Sequence, residues 1–117
     1  MALSLFLLPH LFLMDNTSMR RIWNVLNWNV RGINAAEKWL HVLNKIIESN
    51  CDIVCFQETK REHFDLQYIK QFCPASFNSL CYLPSVGRSG CILVAWKGDV
   101  FHGQLAFQNE FALSVDF

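Results

Sequence analysis

Residues 22–30, IWNVLNWNV, and residues 51–57, CDIVCFQ, decide the fold, because both are apolar runs of strand length and the stretch between them has a helical period. The first run is rich in β-branched and aromatic residues and stops at Arg31-Gly32, a turn signal. Asn34 can cap a helix running to about Ser49, in which Trp39, Leu40, Leu43, Ile46 and Ile47 recur on one apolar face. Asn50 suits the helix terminus. The second run is almost wholly apolar, as expected of a strand buried on both faces. Together these segments predict a βαβ unit. Its right-handed crossover makes the two strands parallel and sets their C-terminal ends, residues 29–31 and 57–60, on one sheet edge. Open sheets bind ligands at such edges.

Toward the C-terminus a short helix is predicted over 65–72, with Leu66, Ile69 and Phe72 on one side and Pro74 stopping it. The pattern then turns to strand. Residues 77–83, 91–96, 100–107 and 111–117 are separated by PSVGRSG, KGD and QNE, which predicts a β-meander of hairpins. Toward the N-terminus, residues 1–14, MALSLFLLPHLFLM, form an apolar block. It lacks a basic n-region, Pro9-His10 interrupts it, and no small-residue cleavage site follows. It is also too short to span a bilayer. The expectation is an apolar leader over residues 1–18, without an evolved role, followed by one domain over 19–117 that starts near Met19. A secretory or anchoring segment is the alternative.

The composition, 52% hydrophobic and 17% charged over 117 residues, is that of a globular domain. Ten Lys and Arg balance ten Asp and Glu, so no global field draws the chain to nucleic acid or anionic membrane. Any basic footprint is local. Five cysteines, an odd number with no CxxC pair, exclude a simple disulfide framework and a zinc ribbon, and fit free thiols in a reducing compartment. Cys51 and Cys55, four apart, are expected on one strand face as buried small hydrophobes.

On the first strand the period of two sets Asn27, Asn29 and Arg31 on one face and Trp28 and Val30 on the other. Glu58 stands just past the second strand, where a carboxylate is costly to bury unless a positive or hydrogen-bonding partner meets it. A divalent cation is one such partner. Mg²⁺ is usually held by one or two carboxylates plus waters and substrate phosphate, so Glu58 with the Asn29 amide makes a chemically sensible half-site. Arg31 and Lys60 could contact phosphate oxygens beside it, Arg through a bidentate fork and Lys as a point charge. A strand-end Glu next to Lys60 and Arg61 is also often a solvated loop charge, and the residues alone leave that choice open.

NWNVRGIN at 27–34, the amphipathic helix after it, and DIVCFQETK at 52–60 resemble the first two motifs of the endonuclease/exonuclease/phosphatase superfamily, which has a DNase I-like fold. GRSGCILVAWK at 87–97 resembles the Gly-rich turn and strand that come next. The resemblance implies that Asn29 and Glu58 belong to a centre that binds Mg²⁺ and phosphate in the complete family domain, with weak or absent Mg²⁺ binding expected of this chain, and that DNA is the partner. Arg31-Gly32 with QETK is most similar to endonuclease domains of plant LINE-type retrotransposons. Abasic-site repair enzymes usually carry Asp where this chain has Arg31, which disfavours a repair function. The fold implied is α+β, the N-terminal part of a four-layered α/β/β/α sandwich, with these residues supplying mainly one sheet and its covering helix.

The family completes its site downstream with a phosphate-orienting tyrosine, an Asp-x-Asn pair and a terminal Ser-Asp-His. No Asp here is followed two residues later by Asn, and no Ser-Asp-His occurs. The sequence therefore predicts a truncated domain without catalytic activity of its own. Its apolar surface at Phe101, Leu105, Phe107 and residues 111–117 should be bare, with unpaired edges open to self-association. His10, His41, His63 and His102 lie in neither motif and are read as structural or solvated. Lys60-Arg61 with Phe64 and Tyr68 reads as a solvated loop, since two basic residues neutralise too few phosphates for firm binding. A non-catalytic binding module and a phosphatase of the same superfamily are the rival readings. Nucleus or cytosol is the expected compartment.

Overall fold

The computed structural model describes the backbone of residues 2–6, 11–14, 24–84, 91–100, 102–108 and 112–116, and the side chains of 24–84, 91–100, 102–103 and 115. Its strands are β1 (Ala2–Phe6), β2 (Leu11–Met14), β3 (Val25–Asn29), β4 (Ile53–Gln57), β5 (Ser79–Leu83), β6 (Ile92–Trp96), β7 (Gln104–Gln108) and β8 (Ala112–Asp116). The helices are α1 (Trp39–Ser49), preceded by a 3₁₀ turn at Ala36–Lys38, and α2 (Leu66–Ile69). The fold is α+β. Gly87 to Gly90 of the glycine-rich turn, Phe101, His10 and Met19 lie outside the described residues.

The mixed sheet β3-β4-β6-β5 organises the site. β3 and β4 are parallel, as a βαβ unit requires, with Val25 opposite Ile53 and Asn29 opposite Gln57. β6 runs antiparallel to both β4 and β5. Each row across the sheet therefore has a definite face. Leu26, Val54, Ala95 and Leu80 share one face with Trp28, Phe56, Leu93 and Tyr82, and this face packs on the buried helix residues Val42, Ile46 and Ile69 and on Phe72. The other face carries Val25, Ile53 and Trp96, then Cys55 and Val94, then Ile92 and Leu83, and buries Val115 of β8. A strand covered on both sides has no use for polar side chains, which is why β4 reads IVCFQ and is buried at every position.

Helix α1 differs from its expected face. Val42 and Ile46 are its buried residues, whereas Leu40 and Ile47 are 66% and 60% exposed. The stripe that faces the sheet runs through Trp39, Val42 and Ile46, at i, i+3 and i+7, and Leu40 lies about a third of a turn off it. Asn34 does not cap the helix. The 3₁₀ turn intervenes, its capping position is Ala35, and the Asn34 amide is used elsewhere. Asn50 ends α1 as expected, in the left-handed conformation at φ 53° with its N–H on the Ile47 carbonyl. Asp65 caps α2 by accepting from the Tyr68 N–H at 2.7 Å. Ile69 and Phe72 are buried as predicted, but Leu66 is 44% exposed.

The strands after β6 do not continue one meander. β5 and β6 pair in the first sheet, and β7 and β8 pair in a second one, of order β2-β1-β8-β7. The chain thus supplies two four-stranded sheets rather than mainly one. Ala2–Phe6 and Leu11–Met14, within the expected leader over residues 1–18, provide two strands of the second sheet, with β1 antiparallel to β8 from Ala2 opposite Asp116 to Phe6 opposite Ala112. β8 is consequently hydrogen-bonded on both sides, contrary to the unpaired edge expected there, and among the described residues β2 and β7 are the outer strands of this sheet. A period-two pattern identifies a strand but carries no information about which sheet it joins.

Candidate functional site at the strand ends

Beyond Asn29 and Gln57 the two parallel chains stay hydrogen-bonded, with a one-residue slip in their pairing at Arg31. Val30 N–H donates to the Gln57 carbonyl at 3.0 Å, Gly32 N–H to Glu58 at 2.7 Å, and Ile33 N–H to Thr59 at 3.0 Å. This extended ladder brings residues 29–33 alongside 57–60. The backbone here is unusual, with positive φ at Arg31 (53°), Gly32 (96°), Glu58 (55°) and Lys60 (57°). A left-handed non-glycine residue costs about 1–2 kcal/mol, so three of them persist only where surrounding bonds over-determine them. At Gly32 conformation, not space, calls for glycine: an added Cβ would meet only Lys60 Cδ at 3.6 Å.

Three sets of contacts hold this geometry. Lys38 Nζ donates to the carbonyls of Val30, Arg31 and Gly32 at 3.2, 3.2 and 3.1 Å, using each of its N–H groups. Asn34 Nδ2 donates to the Lys60 carbonyl at 3.0 Å. Thr59, fully buried, is bonded through its hydroxyl to Cys91 Sγ, and its N–H donates to the Cys91 carbonyl at 3.2 Å. Of these partners only Asn34 is singled out from sequence, and for a different role, as a helix cap. A lysine or asparagine near a helix start is ordinarily solvated, and nothing in the residue pattern marks these two as bracing a turn.

All four predicted site residues gather at this edge. Asn29, Arg31, Glu58 and Lys60 are exposed, and among the described residues their side chains make no hydrogen bond or ion pair. Asn29 stands beside Gln57 on the sheet face that carries Val25, Ile53 and Val115, with Asn27 one row behind. Gln57 is 6% exposed, and its Nε2 has no hydrogen-bond partner among the described residues. No group of three or more His, Cys, Asp or Glu able to hold a metal occurs among the described residues. Mg²⁺ does not require one, because waters and substrate phosphate fill most of its shell; one free carboxylate with neighbouring amide oxygens fits it as a partial site.

Next to this edge lies an open depression of about 430 Å³ lined by Asn34, Lys60, Arg61, Glu62 and His63. Arg61 is not simply solvated, as its loop position suggests. Its guanidinium lies 3.5 Å over the Tyr68 ring, Nε donates to the His63 carbonyl at 2.7 Å, and Nη1 donates to Asn34 Oδ1 at 3.4 Å. His63 sits 2.8 Å from the Tyr82 hydroxyl through Nδ1 and 3.8 Å from Asp65 through Nε2. His41 stacks edge-on against Trp28, and His102 precedes β7 rather than lying in a strand.

Burial disfavours four of the five cysteines as nucleophiles. All five are free, and desolvation pushes the thiols of Cys51, Cys55, Cys73 and Cys81 above their ordinary range. Cys51 and Cys55 do not share a face. A bend at Asp52 separates Cys51 from the strand, so Cys51 joins the helix-side cluster and Cys55 the opposite one.

No protein-family model matches the sequence, and no curated protein does. Among the described residues no helix is long and apolar enough to cross a membrane.

Proposed function

We propose that this chain carries the N-terminal part of a Mg²⁺-dependent endonuclease domain of the endonuclease/exonuclease/phosphatase type, of the retrotransposon branch, and that it does not cleave DNA by itself. One observation carries the reading: the parallel β3–β4 ladder, continued through a left-handed turn, sets Asn29 and Glu58 at one sheet edge with Arg31 and Lys60. Burial of helix residues against one sheet face and of Val115 against the other supports the layered α/β/β/α arrangement of that family.

In this reading Glu58 and Asn29 hold the ion, and Arg31 and Lys60 contact the phosphate of the scissile strand. The bound ion supplies polarisation of the phosphoryl group and charge stabilisation of the leaving oxygen. The chain's own residues bind and orient. Among the described histidines the one nearest the edge in sequence, His63, is engaged with Tyr82 and Asp65 and is not free to activate water. That same deficit favours, as a second reading, a module that binds DNA without cutting it. Nucleus or cytosol is the compartment that suits either.

Plasmid nicking by the purified full chain, with and without Mg²⁺, tests the proposal against a Glu58→Ala control. The expected result is no nicking by folded protein under any condition. Mg²⁺-dependent nicking that disappears in the control would keep the family and overturn the inactivity. Turnover of a small phosphate monoester would instead favour the phosphatase reading.

A further inference from the structure

We propose that Gln57 is an additional site residue, whose carboxamide N–H group donates to a phosphate oxygen of a phosphodiester bound at the C-terminal edge of β3 and β4. Sequence periodicity gives no reason to single it out, because it closes an apolar strand. Its surroundings do. It is more than nine-tenths buried, yet its Nε2 meets no acceptor among the described residues. A buried donor left without a partner is disfavoured in a folded protein and is usually explained by an ion, a water or a ligand.

Placement narrows the acceptor. Gln57 shares its sheet row with Asn29 on one side and Ile92 on the other. Away from the edge its face is the apolar cluster of Cys55, Val94 and Val115, which has no oxygen acceptor to offer from those side chains. Toward β3 the same face carries the exposed amides of Asn27 and Asn29. Among the described residues the open side of Gln57's row is therefore the β3 side, where exposed Asn29 lies, at the edge that also carries Glu58. With the exposed cations Arg31 and Lys60 at the same edge, neither of them paired among the described residues, an anionic oxygen fits, and a phosphodiester supplies one.

The inference rests on the nuclease-type reading, and its test separates the two. Gln57→Met removes the donor at similar volume. Because it also removes an unsatisfied buried amide, the substitution should raise the melting temperature while weakening the ligand, opposite signs that a purely structural residue would not give. Binding of a short DNA duplex and of inorganic phosphate by the full chain is measured with and without Mg²⁺ for wild type, Gln57→Met and Glu58→Gln. The Gln57 side-chain NH₂ resonances, identified by their loss in the Met variant, are followed in parallel.

Expected are a saturable shift of those resonances with duplex and duplex binding weakened about 10-fold or more in Gln57→Met, as for loss of a hydrogen bond to a charged group. Equal duplex affinity in Gln57→Met and wild type overturns the inference while leaving the nuclease reading standing. Phosphate binding that needs Gln57 but ignores both Mg²⁺ and Glu58→Gln keeps the donor and overturns the nuclease reading. Absence of both duplex and phosphate binding by wild type overturns both.

Discussion

Replacing Phe56 by alanine removes a large part of the folding free energy. The ring is fully buried, packs edge-on against Phe72 at a centroid distance of 5.6 Å, and lies 6.3 Å from Trp28. It sits at the middle of the sheet face that α1 and α2 cover, so neither neighbouring strand can collapse into the space it leaves. Truncating such a phenylalanine costs about 3–5 kcal/mol through lost transfer energy and the cavity left behind. Domains of this size are stable by only about 5–15 kcal/mol. Urea denaturation of Phe56→Ala should show the midpoint falling steeply. Leu40→Ala provides the contrast, because at 66% exposure Leu40 lies off the buried stripe and its loss should change stability by less than about 0.5 kcal/mol. Equal destabilisation by the two would mean that α1 presents a different face to the sheet.

Lys38→Met should be nearly as damaging for a different reason. It leaves the methylenes and removes an ammonium bonded to three consecutive carbonyls of the turn after β3. Those carbonyls follow the path that holds Arg31 and Gly32 at positive φ. Loss of hydrogen bonds from a charged donor costs about 1.5–3 kcal/mol, and the strained turn is then left to the backbone bonds of Gly32 and Ile33 and to the Asn34 and Thr59 contacts. The expected result is a drop of that size by denaturation, with hydrogen-exchange protection at Gly32 and Ile33 lost before that of β4. Arginine is a poor replacement, since its planar fork cannot direct three N–H groups as an ammonium does. Retained protection in Lys38→Met would show that the parallel ladder alone fixes the turn.

Much of the architecture was legible because its residues leave little choice. CDIVCFQ has the composition of a strand covered on both faces, and the helical stretch before it makes a parallel partner of the preceding strand. The gathering of Asn29, Arg31, Glu58 and Lys60 followed from that topology. What was not legible depends on distant partners. Pairing of β1 with β8 joins segments far apart in the sequence, and the local pattern of MALSLFLLPHLFLM is equally that of a leader. The left-handed conformations of Arg31, Glu58 and Lys60 fall on residue types that seldom adopt it, so only Gly32 and Asn50 gave a signal. The face of α1 was misjudged because Leu40 and Ile47 are apolar without being buried, while Val42 escaped notice at the centre of the stripe.

The most direct measurement of the central claim is Mn²⁺ titration of the ¹⁵N-labelled full chain, with the paramagnetic ion in place of Mg²⁺. The account predicts that the amide signals of Asn29, Glu58 and Thr59 broaden first, and that Glu58→Gln abolishes the effect. Broadening centred instead on Asp52 or Asp65, or broadening at Asn29 that survives Glu58→Gln, would contradict the assignment of this edge as a metal and phosphate site.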